Sequence, residues 1–236
     1  SWMWSYALPE EAFAAAYHAA HPRERAWIKE AVAALWEALG HNEPDKRSIR
    51  QDVRHGLSAV RIRQPCAWAA VHLPAGSCAP SLVLGSVLPV LAAGVWPVLV
   101  VIDREVLALD PVLLTLELIG IESVFSVPAK SMGPAREHWL GVPEAGSGLV
   151  VAISREIEAE CLAYAPNGQP RLTLPCPRQG AVWLEAEEDI DVQALAYAHP
   201  HLKLSLWTKE QWAWEDFLRQ GADVVWVPKH RRDEAL

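Results

Sequence analysis

The chain has 236 residues, 51% of them hydrophobic and 21% charged, with a net charge of −8. That length and balance give a real core in one large domain or two small ones and exclude bulk disorder. The acidic surplus gives no reason to expect nucleic acid or an anionic membrane as partner.

The first forty residues read as helical. Pro9 is placed at the start of a first helix, with Glu10 and Glu11 in its first turn. After Pro22, residues Trp27, Ile28, Val32, Leu35, Trp36 and Leu39 recur at helical spacing, and Gly40 supplies a stop. "HNEPDKRS" reads as a polar linker. "LSAVRIRQP" alternates, so it reads as a half-exposed strand.

From there the rhythm is β-α-β. "AWAAVHL" reads as a strand, "APSLVLGSVLPVLAAG" as a helix and "PVLVVI" as a strand. "DPVLLTLELIG" reads as a helix with Asp110 as N-cap, Pro111 at the first position and Gly120 as stop. "IESVFSVP" and "GLVVAIS" are strands around a weaker helix. Residues 154–180 look like loops around a short strand. "AVWLEA", "LKLSLWT" and "DVVWVP" then give three more strands, separated by two helices. The tail "KHRRDEAL" is expected to fray.

This is the pattern of a doubly wound parallel α/β protein with two Rossmann-like units. One covers 59–153. The other combines the N-terminal helices, 1–58, with 154–236.

Residues 73–102 contain no Asp, Glu, Lys, Arg or His, which raises the question of a membrane span. Pro80, Pro89 and Pro97, with Gly85 and Gly94, interrupt it, so a buried helix followed by a buried strand fits better. The N-terminus lacks the basic and apolar regions of a signal peptide. Four scattered cysteines, Cys66, Cys78, Cys161 and Cys176, form no CxxC pair. They read as small reduced core residues of a cytoplasmic protein.

The turn "LPAGSCAPS" lies between a strand and a helix. It either presents backbone N–H groups to an anion or is small-residued for close packing. Cys78, at the start of the following helix, is a candidate low-pKa thiol or a packed cysteine. His199 and His201 in "AHPHLK" are spaced to share a metal or to cap a helix end. Glu137 and His138 are adjacent and diverge on a helix, which disfavours them as an acid–base pair. Lys46, Arg47, Arg50, Arg54, Arg61 and Arg63 read as a solvated face, with an acidic or phosphate partner as the alternative. Trp207, Trp212, Trp214 and Trp226 cluster late in the chain and include a candidate homodimer surface.

The segment "VRIRQPCAWAAVHLPAGSCAPSLVLGSVLPVLAAGVWPVLVVID" resembles the central segment of histidinol dehydrogenases. There a Tyr-Val-Pro-Gly-Gly strand-turn leads into a Pro-Ser helix ending Ala-Gly-Val. Pro80, Ser81, Leu84, Pro89, Ala93, Gly94 and Val95 fall in step. "DPVLLTLELIGIESVFSV" and "EEDIDVQALAYAHPHLKLSLWT" resemble later pieces of that family.

The resemblance implies the aldehyde-dehydrogenase-like fold and a two-step, NAD-dependent oxidation of an amino alcohol with a zinc ion holding substrate. It places His72 at the family's NAD-contacting tyrosine and Gly76 at its second turn glycine, with Ala75 at the first. Pro74, Ser77 and Ser81 complete that turn. Lys130 and Ser131 occupy the family's glutamine turn. His199 matches one zinc ligand, while Ala196 stands at another, so zinc is not expected. The catalytic Glu-His pair of the family lies in a portion that has no counterpart here. The expected function is therefore a small-molecule or nucleotide-binding or regulatory module, with an NAD-dependent oxidoreductase as the alternative.

Overall fold

A computed structural model describes residues 2–40, 47–53, 57–63, 66–76, 79–105, 109–128, 130–131, 148–154, 162–164, 170–186 and 190–235. The Ser77, Cys78, Glu137, His138 and Cys161 expectations lie outside the described residues.

The helices are α1 (Glu10–Ala19), α2 (Pro22–Leu39), α3 (Pro80–Ala92), α4 (Leu109–Leu118), α5 (Val192–Ala198) and α6 (Trp214–Leu218). The strands are β1 (Arg47–Val53), β2 (Leu57–Arg63), β3 (Trp68–Leu73), β4 (Val98–Asp103), β5 (Val124–Val127), β6 (Gly148–Ser154), β7 (Leu162–Tyr164), β8 (Pro170–Pro175), β9 (Gln179–Leu184), β10 (Lys203–Thr208) and β11 (Val224–Trp226).

The fold is α/β with two parallel sheets. In the larger one the order is β5-β4-β3-β6-β8-β7, all parallel except β7, which runs antiparallel along the edge. In the smaller, β9 lies between β10 and β11, again in parallel. β1 and β2 form a separate antiparallel hairpin, so the last residues of the expected polar linker begin a strand. β7 and β8 hydrogen-bond into the larger sheet, so sheet membership runs past residue 153.

β3 explains why the larger sheet holds together. All six of its residues are buried, which a parallel strand covered on both faces requires. On one face Ala69, Val71, Leu73, Val100 and Ile102 pack with Phe13 of α1, Val83 and Val87 of α3, and Val112 and Leu116 of α4. On the other, Trp68, Ala70, Val101, Phe125 and Val150 cluster with Tyr6. Trp4 meets Phe125 edge to face, ring centroids 5.5 Å apart.

α3 opens at Pro80, whose missing N–H costs nothing at a first helical position. Pro89 sits inside this helix, yet the helix runs on to Ala92, and Gly94 then turns the chain with φ 72°. Among the described residues no helix is long and apolar enough to cross a membrane. α4 begins at Leu109, so Asp110 and Pro111 are its second and third residues, and Asp110 stands inside the helix instead of at the expected cap. α2 buries only Ile28 fully; Trp27 and Trp36 are half-buried.

The smaller sheet has an aromatic core. Trp183, on β9, packs against Trp214 at 5.2 Å and Phe217 at 5.4 Å. Trp207 joins them against Phe217 and Trp212. The tail does not fray as expected: residues 229–234 form a short 3-10 helix. The Glu185 carboxylate, just past β9, accepts hydrogen bonds from Arg231 Nε at 2.7 Å and pairs with His230 Nε2 at 2.9 Å. The Arg231 guanidinium beside it is the main cause of its pKa falling to about 2.

Candidate functional site

The strand order reverses between β3 and β6. The chain starts the parallel run at β3, steps outward to β4 and β5, and returns to the other side of β3 as β6. At such a reversal the connections leave in opposite directions, and a crevice opens beyond the C-terminal ends of the two strands. The turn after β3 stands beside this reversal.

Two side chains fix this turn. His72 and Asp103 stand at the C-terminal ends of adjacent strands and project to the same face, since His72 pairs with Val101 and Asp103 follows two residues later. His72 Nε2 and Asp103 Oδ1 are 3.2 Å apart, both largely buried. Asp103 Oδ2 accepts the Ala75 N–H at 2.9 Å. One carboxylate thus holds a buried imidazole and the turn backbone together. Gly76 follows at φ 74°, a conformation that favours glycine. Pro74 is half-buried, while Ala75 and Gly76 are exposed.

Asp103 is the residue that sequence reasoning missed. Its signal was an acid closing the apolar run "PVLVVID", but nothing in the sequence pairs it with His72, 31 positions earlier.

Lys130 and Ser131 follow β5, at the same C-terminal edge as the turn but two strands away from β3. Lys130 is exposed, and the Ser131 N–H donates to Pro128 O at 2.8 Å.

Ser81 makes a long-range contact. Its hydroxyl lies 2.9 Å from His199 Nδ1, joining residues 118 positions apart. The structure therefore unites two residues that the sequence offered for separate roles. His199 caps the end of α5, where α5 packs against α2 and α3. Its ring meets Trp226 edge to face at 5.2 Å and lies 5.9 Å from the His201 ring. Burial pushes its pKa down, favouring the neutral imidazole.

The pair opens into a cavity of about 240 Å³ lined by Trp27, Ile28 and Leu35 of α2, Leu84 of α3, and Tyr197. Burial, aided by Glu24, pushes the Tyr197 phenol up to about 12. Arg23 ties the rim together, donating to Asp191 at 3.1 Å and Gln193 at 3.3 Å while lying over the Trp27 ring.

These residues do not fit a zinc centre. Among the described residues no three His, Cys, Asp or Glu side chains converge as a metal requires. His199 Nδ1 already faces Ser81.

The chain matches no family model and no curated protein sequence. Among solved structures it is similar to the histidinol dehydrogenase from Elizabethkingia anophelis, at 17% identity and a TM-score of 0.48. The likeness covers 91% of this chain and 50% of that one, so the chain spans about half the enzyme's length.

Proposed function

We propose that this chain is a small-molecule-binding α/β protein whose ligand, a dinucleotide of the NAD type, lies beyond the C-terminal ends of β3 and β6. The observation that carries this reading is the reversal of strand order between β3 and β6, with the turn beside it pinned by Asp103. A crevice at a reversal is where open α/β sheets bind ligands.

The residues present fit a dinucleotide in part. The turn is exposed at Ala75 and Gly76, and Gly76 carries no side chain to obstruct a phosphate. Lys130 supplies a cation further along the same edge. Asp103, at the end of the second strand of the unit, is the acid that would otherwise meet a ribose. Both its oxygens are engaged, by His72 and by Ala75. Ribose recognition therefore falls to other groups. The function proposed for this crevice is ligand binding.

Thermal denaturation with NAD, NADP and AMP tests this. A ligand at about a hundredfold over its Kd adds about 2.7 kcal/mol. For a chain of this size that raises Tm by several degrees, at roughly 2–4 °C per kcal/mol. The expected result is such a rise with NAD, lost when Asp103→Ala frees the turn. No rise with any of the three nucleotides overturns the dinucleotide reading.

A further inference from the structure

We infer that Ser81 and His199 form a nucleophile–base pair for acyl transfer, acting on esters of small apolar or aromatic acids held in the α2–α3–α5 cavity. This site is separate from the crevice reading and stands whether or not a nucleotide binds.

The geometry supplies each part that the chemistry needs. The nucleophile and base are in hydrogen-bond contact, Ser81 Oγ to His199 Nδ1, at 2.9 Å. With the ring proton on Nε2, Nδ1 accepts the hydroxyl proton. Trp226 and His201 hold the imidazole by ring contacts, at 5.2 and 5.9 Å, taking the place of an orienting carboxylate.

Donors for a developing oxyanion come from the start of α3. The first intrahelical bond there runs from Val83 N–H to Ala79 O. The Ser81 and Leu82 amides precede it and stand at the positive end of a 13-residue helix. The amide of the nucleophile and that of the residue after it are the donors this step would use. The acyl group has the cavity, about 240 Å³ and walled by Trp27, Ile28, Leu35 and Leu84. Its near absence of charge selects an uncharged, compact substrate.

In the acylation step Ser81 Oγ attacks the ester carbonyl carbon as its proton passes to His199 Nδ1. The carbonyl π electrons move to oxygen. The intermediate then collapses, the bond to the alcohol oxygen breaks, and the departing alcohol takes the proton from His199. Water next gives a proton to His199, attacks the acyl-Ser81 carbonyl and releases the carboxylic acid, and Ser81 recovers its proton.

The test is covalent labelling of the full chain with a fluorophosphonate, with peptide mass spectrometry, alongside hydrolysis of p-nitrophenyl butyrate. The expected result is an adduct on Ser81 and hydrolysis that Ser81→Ala abolishes. His199→Ala should lower the rate by about 10²–10⁴-fold, the usual worth of a general base. The labelling needs no variant, so misfolding cannot obscure it. Failure of the folded wild-type chain to form an adduct on Ser81 would leave the pair as a tie between α3 and α5 and overturn the proposal. Full hydrolysis by a folded Ser81→Ala chain overturns it equally. Neither outcome bears on nucleotide binding.

Discussion

The two parallel sheets reach order by different routes. The larger one is aliphatic: β3 and β4 bury Val, Ile, Leu and Ala on both faces, between helices on one side and Trp4, Tyr6 and Phe125 on the other. The smaller has three strands and leans on four aromatic rings, Trp183, Trp207, Trp214 and Phe217. It leaves Leu206, Trp212 and Val225 exposed at 49%, 50% and 40%. A short sheet lacks the area to seal both faces with branched aliphatics. Large rings compensate, since each brings about 150–250 Å² of burial. The contrast teaches that the two sheets meet the same need with different side chains, while the larger one also carries the buried His72–Asp103 contact at its strand ends.

The largest effect should come from the centre of the aromatic cluster. Trp183→Ala is expected to cost about 3–5 kcal/mol. If the sheets are energetically separate, near-UV circular dichroism of the small sheet disappears while β3 and β4 amides keep their protection against hydrogen exchange. Loss of protection in both would show one cooperative unit instead.

Two glycines sharpen the same comparison. Gly148 on β6 lies under the buried Trp68 ring, where an added Cβ would overlap the indole. An added Cβ on Gly180 of β9 would sit 2.7 Å from Trp226 and 2.8 Å from the tip of Leu204. The Trp68 ring is fixed in the core, whereas Leu204 and Trp226 are half-buried and freer to give. Gly148→Ala should therefore cost about 1–3 kcal/mol by overpacking, and Gly180→Ala less. Paired urea denaturation curves check the order.

The tail latch is next. Glu185 has a folded pKa of about 2 against an ordinary 4.5. A lowered carboxylate pKa means stabilisation that is complete above the ordinary value and lost as pH falls from there through about 2. Carboxyl NMR of Glu185 should titrate near 2. Glu185→Gln should speed hydrogen exchange of residues 229–234 at neutral pH and leave the larger sheet unchanged.

The smallest effect belongs to Arg23→Ala. It removes an exposed ion pair to Asp191 at the cavity rim, a type worth about 0–1 kcal/mol. A Tm loss of more than a few degrees would show that the tie between α2 and α5 matters more than its exposure implies.

Much of the larger sheet was legible in the sequence because its strands are continuous apolar runs and α3 and α4 are bracketed by Pro and Gly. β7 was not, since three residues are too few to show a period and gain their strand character only by pairing with β8. β1 hid in a polar stretch because a hairpin needs no apolar run. The candidate sites were legible only as parts. Pro74, Gly76 and Ser81 were marked by the turn, but the Asp103 clamp and the Ser81–His199 contact depend on chain crossings that no local pattern encodes.

The indole cluster has one more consequence, an optical one. Trp207 and Trp212 are 4.8 Å apart, and Trp183 and Trp214 are 5.2 Å apart at a steep interplanar angle. Transition dipoles that close and that inclined couple strongly and give oppositely signed circular-dichroism bands. The small sheet thus carries its own spectroscopic reporter, written in native residues, by which its folding can be followed without a label.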